Sequence, residues 1–577
     1  MRRTKIVCTI GPASDSRERI QELLAAGMDV ARLNFSHGTH AEHGARMATL
    51  KEEAAKANKH LAIILDTKGP EIRTGMVPEA GINLINGAGF VLDTKADEGT
   101  ADRVGITYTA LWQELTPGMH VLIDDGELDL EVVAIEPELI QTVVRNGGIL
   151  KSQKGVNVPG APILLPAVMD KDVADIRFGL EQGIDFIAAS FCRKAEDILA
   201  VRRIVEEAGA NVHIIAKIES TEGLRNLDAI LEVADSLMVA RGDLGVEIPV
   251  EEVPIRQKEI IAKCNALGKP VIVATQMLDS MIRHPRPTRA EASDVANAII
   301  DGTDAVMLSG ETAAGQFPIE AVKMMDKIAV RTESTFLGTR KERHEHLSVA
   351  EAISYASYTV ASDLDAAAIL TPSHSGLTTR MVAKYRPKAW IIGVTPFPET
   401  ARKMSLLWGV IPVVVPESKG TDQLLAATIN AAQCMDYVKT GDMVVITAGV
   451  PVGKVGTTNL IKVQVVADVL AKGTGIGRKS YSGTARVVHK PDGVNFADGD
   501  ILVAMATDAG FVALIGRAGA LVVEEGGLTS HAAIVALQYG IPVIVGANEC
   551  MQKIKDGQTI TVEASTGVIY DGTASIL

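Results

Sequence analysis

"VHIIAKIESTEGLRNLDAILEVADSLMVARGD" spans residues 212–243, and its reading decides the fold. It holds two short apolar runs, "VHIIAKIE" (212–219) and "SLMVARGD" (236–243), with a helical segment between them. Near-continuous apolar character over so few residues suggests strands buried on both faces, as in a parallel sheet. Each run ends in charge: Lys217 and Glu219 close the first, Arg241 and Asp243 the second.

The same unit recurs outward from there. "TKIVCTI" (4–10), "DVARLNFS" (29–36), "LAIILDT" (61–67), "DFIAASF" (185–191), "PVIVATQ" (270–276) and "AVMLSGE" (305–311) bring the number of such runs before residue 335 to eight. Eight strand–helix units predict an α/β chain built on a closed (β/α)8 TIM barrel. Polar residues gather at the C-terminal ends of the runs: Asn34 and Ser36, Asp66 and Thr67, Lys217 and Glu219, Arg241 and Asp243, Thr275 and Gln276, Ser309 and Glu311. Ordinary strand-to-loop transitions also end in polar residues, but so many ending alike favour an active site on that face.

About 115 residues separate the third and fourth runs, far more than one helix needs. Turn signals at Asn86-Gly87, Asp125-Gly126 and Asn146-Gly147 predict hairpins there, and hence a small β-barrel lid over the C-terminal face. The charged "RKERHEHLS" (340–348) reads as a boundary. Alternation then resumes with "AAAIL" (366–370), "WIIGVT" (390–395), "IPVVV" (411–415) and "MVVIT" (443–447), an open α/β domain. "AKGTGIG" (471–477) reads as a flexible linker. The expected division is a catalytic barrel at 1–69 and 166–345, the lid at 70–165, a regulatory domain at 346–472 and a C-terminal domain at 473–577.

Composition narrows the function classes. A chain of 577 residues exceeds one core, and 47% apolar with 22% charged residues is ordinary for a globular protein. A net charge of −14 argues against nucleic-acid and anionic-membrane partners. No apolar run approaches the roughly 18 residues of a membrane span. The start, "MRRTKIVCTIGPAS", does not read as a signal peptide, and the five cysteines show no CxxC spacing. A cytoplasmic location is expected.

No Walker A loop is present: "GVPVGKVG" (449–456) is one residue short and has valine where Ser or Thr should hold magnesium. A phosphate site is therefore sought in the barrel. Mg²⁺ takes one or two protein carboxylates plus substrate oxygens, and Glu219 and Asp243 end neighbouring strands. Lys217 points to the same side of its strand as Glu219, where it can stabilise a phosphoryl group in transfer or form a structural ion pair. Arg32 and Arg73 offer bidentate donors to phosphate.

"TKIVCTIGPAS", "ARLNFSHG", "LDTKGPEIRTG", "KGVNVPG", "IIAKIES", "MVARGDLGVEIP", "ATQMLDSM", "PTRAEASDVANAIIDGTDAVMLSGETA" and "VVITAGVPVGKVGTTN" together resemble pyruvate kinase, in order, from residue 4 to about 470. With its C-terminal extension the chain is similar to the pyruvate kinases of Bacillus-type bacteria. The resemblance implies phosphoryl transfer from phosphoenolpyruvate to ADP, giving ATP and pyruvate, with Mg²⁺ (or Mn²⁺) and K⁺. It implies that Arg32 binds the phosphoryl group and Lys217 stabilises it in flight. Glu219 and Asp243 would hold Mg²⁺. Gly242, Asp243 and Thr275 would bind the substrate carboxylate, and Thr275 would lie on the proton route with a water chain that includes Ser309 and Glu311. Asn34, Ser36, Asp66 and Thr67 would hold K⁺, with Glu71 marking K⁺ dependence. His37, Arg73 and Lys154 would contact the nucleotide. A homotetramer is implied as well.

"TPSHSGLTTR" (371–380) follows a strand and opens a helix, an arrangement that suits a phosphate or simply a well-capped helix. The resemblance implies a sugar-phosphate or AMP effector at Thr371, Ser373, Ser375, Gly376 and Thr378, with Gly453 and Gly456 nearby. The extension, with "GGLTSHAAIVA" around His531, resembles the swivelling β/β/α phosphohistidine domain of phosphoenolpyruvate synthase and pyruvate phosphate dikinase, but has Leu537 where arginine is usual. We read His531 as capping a helix start. Two other readings stay open at this level: a phosphohistidine-type dikinase, and a non-catalytic metabolite sensor.

Overall fold

The computed structural model describes residues 2–96, 98–336, 348–417, 420–450, 458–466, 468–477 and 479–573. They form two compact units, one of Met1–His346 with His374–Arg386 and Thr395–Val414, the other of Leu347–Ser373, Pro387–Val394 and Val415–Leu577.

In the first unit, β1 (Lys5–Thr9), β2 (Val30–Asn34), β3 (Ala62–Asp66), β4 (Phe186–Ala189), β5 (His213–Ile218), β6 (Ser236–Ala240), β7 (Val271–Ala274) and β8 (Ala305–Leu308) close into a barrel. Every pair within it is parallel. Each apolar run of the sequence holds one strand. The runs are continuous because both faces are buried. Val7, Val30, Ile64, Phe186, Ile215, Met238, Ile272 and Met307 fill the interior. Their neighbours Ile6, Leu33, Ile63, Ile187, Ile214, Val239, Val273 and Leu308 pack outward with the helices. Burying one such side chain contributes about 1.5–3 kcal/mol. That alternation also fixes the site. Counting by twos from Val30, Ile64, Phe186 and Ile215 sends Arg32 and Asn34, Asp66, Ser190, and Lys217 and Glu219 to the barrel's own axis.

The insertion after β3 is a curled seven-stranded sheet plus a two-stranded one. Only one of the expected hairpin signals closes a hairpin: Asp124, Asp125 and Gly126 join His120–Ile123 to its antiparallel neighbour Leu128–Glu136. Asn86-Gly87 and Asn146-Gly147 instead pack on each other, the Asn86 side chain accepting from Gly147 N at 2.6 Å. The segments flanking them, Ile82–Leu84 and Gly148–Leu150, pair with one another. A Cβ on Gly147 would meet the Leu84 carbonyl at 2.1 Å, so glycine serves close approach there.

In the second unit, Ala368–Pro372 lies between Trp390–Thr395 and Met443–Gly449, both parallel to it, and Thr458–Val465 adds antiparallel to the last. The run "IPVVV" falls on the strand Val410–Val414, which belongs to the first unit. Ser348 caps the helix Val349–Asp363 through a capping box with Glu351. The rest of the charged boundary stretch, with Gly453 and Gly456, lies outside the described residues.

The Gly-rich stretch expected to be a linker is sheet instead. Val469–Lys472 pairs with Val568–Asp571, and Thr474–Ile476 with Val543–Val545, at opposite ends of an eight-stranded sheet. Its glycines permit contact: a Cβ on Gly475 would lie 1.9 Å from the Ala564 carbonyl. Ala520–Val523, the helix His531–Tyr539 and Val543–Val545 build the core of this region.

Candidate active site

The charged side chains sent inward by the strand alternation meet at the C-terminal end of the barrel. Asp66 is fully buried between two cations, with Arg32 Nε 2.5 Å and Lys217 Nζ 3.2 Å from its carboxylate oxygens. Burial raises its pKa, but the two cations outweigh burial and hold the carboxyl below its ordinary value. Arg32 is held further by Thr9 Oγ1 at 3.0 Å. Lys217 also lies 2.9 Å from Glu219 Oε1 and donates to Ser190 Oγ at 2.8 Å. Burial lowers the Lys217 pKa, but Asp66 and Glu219 more than offset this, so the ammonium stays charged. The ion pair weighed for Lys217 and Glu219 therefore exists, inside the same cluster as Arg32 and Asp66.

Burial pushes the Glu219 carboxyl up to about 7; Lys217 opposes this and Asp243 adds to it. Asp243 is raised too, by burial first, with Lys217 opposing and Asp125 of the lid adding. Two hard carboxylates that repel each other at the mouth of a barrel suit a small divalent cation, and Mg²⁺ needs no more than these from the protein. No larger cluster of metal-ligating side chains occurs among the described residues.

Asn34 and Asp66 face each other in register across β2 and β3, and Asn34 Oδ1 accepts from Ser36 N at 3.0 Å. Thr67 Oγ1 donates to Ala188 O at 3.3 Å and accepts from Ser190 N at 3.1 Å. Side-chain oxygens of this kind are hard donors, the type that suits a monovalent cation.

On the opposite wall, Thr275 adopts φ 67° and Gln276 φ 54°. A β-branched residue in the left-handed region is strained and persists only when its surroundings impose it. Here the Arg241 guanidinium donates to Thr275 O at 2.8 Å, while Thr275 Oγ1 accepts from Gly242 N and donates to Ala274 O, both at 2.7 Å. Glu311 is buried, and its carboxylate accepts from Leu278 N at 3.0 Å and Ser309 N at 2.7 Å, so it braces the loops below Thr275. The Ser309 hydroxyl is buried with no hydrogen-bond partner among the described residues.

A cavity of about 790 Å³ opens between barrel and lid, lined by Glu71, Arg73, Asp124, Lys154, Phe191 and Asp243 among others. Arg73 pairs with Glu71 at 2.8 Å and Lys154 with Asp124 at 2.7 Å. His37 does not line this cavity: it is exposed on the β2 loop, and its carbonyl accepts from His43 Nε2 at 2.8 Å. Sequence reasoning missed Thr9, Ser190 and Asp125, although the first two follow from the same period-two counting that placed Lys217.

Of the effector-loop residues, Thr371 and Ser373 belong to the second unit and Ser375, Gly376 and Thr378 to the first. Thr371 is buried on its strand, its hydroxyl donating to Ile392 O at 3.2 Å. Gly376, at φ 78°, precedes the helix Leu377–Ala383. In the C-terminal region the helix cap is Ser530, whose Oγ accepts from Ala533 N at 3.4 Å, and not His531. His531 is the first helical residue, with Nδ1 3.1 Å from Thr507 Oγ1, and Leu537 is exposed.

Comparison with known proteins accords with this geometry. Residues 1–322 match the family model "Pyruvate kinase, barrel domain", 351–464 "Pyruvate kinase, alpha/beta domain", and 496–567 "PEP-utilising enzyme, mobile domain". Curated proteins named pyruvate kinase from Geobacillus stearothermophilus and Bacillus licheniformis are 54% and 51% identical to the chain. One from Staphylococcus aureus (strain MRSA252) is 48% identical. All three alignments cover 100% of this chain and 100% of the relative. The chain belongs to the pyruvate kinase family.

Proposed function

We propose that the barrel site works as a pyruvate kinase, a phosphotransferase that moves the phosphoryl group of phosphoenolpyruvate to ADP, through the following residue roles. Arg32, braced by Asp66 and Thr9, grips the phosphoryl oxygens, and Lys217 neutralises the charge on that group as it moves. The Gly242 and Asp243 amides and the Thr275 hydroxyl orient the substrate carboxylate. Arg73 and Lys154 meet the nucleotide phosphates from the hinge and the lid, and lid closure excludes water. His37 would contact the nucleotide from the β2 side. Thr275 lies on the route by which a proton reaches the enolate.

The family generally uses Mg²⁺ and K⁺. Mg²⁺ held by Glu219 and Asp243 would supply charge neutralisation at the substrate oxygens, and K⁺ at Asn34, Ser36, Asp66 and Thr67 would add positive charge beside Arg32. A sugar-phosphate or AMP effector at the 371–378 loop, a homotetramer and a cytoplasmic location complete the reading. No helix among the described residues is long and apolar enough to cross a membrane.

The observation that carries these roles is Lys217 held between Asp66 and Glu219, with Arg32 on the other side of Asp66. In a coupled phosphoenolpyruvate-plus-ADP assay, Lys217→Met lowers kcat by about 10³-fold or more and changes KM for phosphoenolpyruvate little. A variant as active as the parent would overturn the mechanism.

A further inference from the structure

The Lys217 ammonium has three protons to donate and three acceptors within reach: Ser190 Oγ at 2.8 Å, Glu219 Oε1 at 2.9 Å and Asp66 Oδ1 at 3.2 Å. Two of these are carboxylates placed above at the cation sites. The nearest is the neutral one. Ser190 follows β4, is buried, and is committed on every side. Its hydroxyl donates to Thr67 O at 2.7 Å, with Asp66 Oδ1 a second and longer acceptor at 3.2 Å, its amide donates to Thr67 Oγ1 at 3.1 Å, and its oxygen accepts from Lys217. Whether its one proton goes to the nearer Thr67 carbonyl or to Asp66, both partners are acceptors, so the hydroxyl keeps its lone pairs for the ammonium. The space around it is also tight: a Cβ on Gly69 would fall 2.9 Å from the Ser190 Cβ.

We propose that Ser190 is a positioning residue for phosphoryl transfer, a rigid neutral acceptor that aims the Lys217 ammonium and ties it to the Thr67 corner of the site. The proposal rests on the transfer role assigned to Lys217. A carboxylate acceptor competes with a phosphoryl group for the same ammonium, because both are anions. A hydroxyl does not compete: it holds one N–H from behind and leaves the charge to be shared in front. The adjoining Phe191 amide does the same for the neighbouring carboxylate, donating to Glu219 Oε2 at 2.6 Å. The turn after β4 thus orients the ammonium and Glu219 from consecutive residues.

The test is a double-mutant cycle on the full chain, reading kcat, KM for phosphoenolpyruvate and the thermal midpoint. Ser190→Ala lowers kcat about 10- to 100-fold with KM changed less than about threefold. In the Lys217→Met background the same substitution costs less than about twofold, because the group it positions is gone. Ser190→Thr, which keeps the hydroxyl, recovers part of the loss. Ser190→Ala with a kcat within about twofold of the parent, or an equal loss in both backgrounds, would overturn the proposal. Undiminished activity of Lys217→Met alone would instead overturn the role of the lysine. If the threonine variant does not fold, the cycle still decides.

Discussion

The Arg241 guanidinium clamps Thr275: it donates to the Thr275 carbonyl at 2.8 Å and to the Ala274 carbonyl at 3.3 Å, while Asp294 holds its other end at 2.7 Å. These bonds keep a threonine at φ 67°, where its hydroxyl meets the Gly242 amide. Left-handed backbone at a β-branched residue costs about 1–3 kcal/mol, so the clamp matters to function more than to folding. Thr275→Val keeps the side-chain shape and removes the hydroxyl. It is expected to lower kcat/KM for phosphoenolpyruvate by about 10- to 10³-fold. Arg241→Met is expected to lower it by at least about tenfold, since the turn can then relax. Steady-state kinetics on both variants check this, and unchanged constants would refute it.

His213 opens β5 at the N-terminal end of the barrel. Burial pushes its pKa down to about 4; Asp235 opposes this, while Lys403, Arg380 and Arg202 add to it. A histidine depressed in the folded state takes up its proton earlier in the unfolded one. Its contribution is therefore present above the unfolded pKa of about 6.5 and is lost as pH falls toward 4. Between pH 7.5 and 5 the loss is on the order of 2 kcal/mol. Urea unfolding at the two pH values should show it, and His213→Gln should flatten the difference. An equal slope in the variant would remove His213 as the cause.

Glu71 stands 2.8 Å from Arg73 at the lid hinge. Within the resemblance, glutamate here accompanies K⁺ dependence and lysine replaces the ion. Activity should fall when Na⁺ or Tris replaces K⁺. Glu71→Lys should shrink the ratio of rates with and without K⁺ by about tenfold or more, because the ammonium brings a fixed charge. An unchanged ratio would remove the assignment.

His531 is paired with Thr507 and heads its own helix, outside the barrel unit. His531→Ala should leave kcat for phosphoryl transfer to ADP within about twofold of the parent, as expected for a residue that is not part of the Arg32, Asp66 and Lys217 cluster. Acid-labile label from phosphoenolpyruvate that is lost in the variant would favour a phosphohistidine route instead.

Much of the barrel was legible because its signal is local. A strand buried on both faces must be apolar throughout, and a polar residue at its end must point either inward or outward by the count of two. That rule placed Lys217 beside Glu219, and applied to "DFIAASF" it reaches Ser190 as well. The turn dipeptides of the lid were less informative. Asn-Gly allows positive φ but does not name the strand that follows as a partner, and Asn86-Gly87 and Asn146-Gly147 met each other across the domain. "AKGTGIG" misled for a related reason: glycine reads as flexibility, yet Gly473 and Gly475 are there because neighbouring carbonyls leave no room for a side chain.

The sequence by itself determined the eight-stranded barrel and which side chains of a strand share a face, since apolar runs and two-residue periodicity depend only on adjacent residues; the family resemblance rested on the order and spacing of its motifs. Only the tertiary structure decided that Asp66 would be shared by Arg32 and Lys217, that Ser190 would brace the ammonium, and that Thr275 would be held at positive φ. Those relationships join residues on different strands. They come into being when the barrel closes, and no local pattern specifies the distances that closure sets.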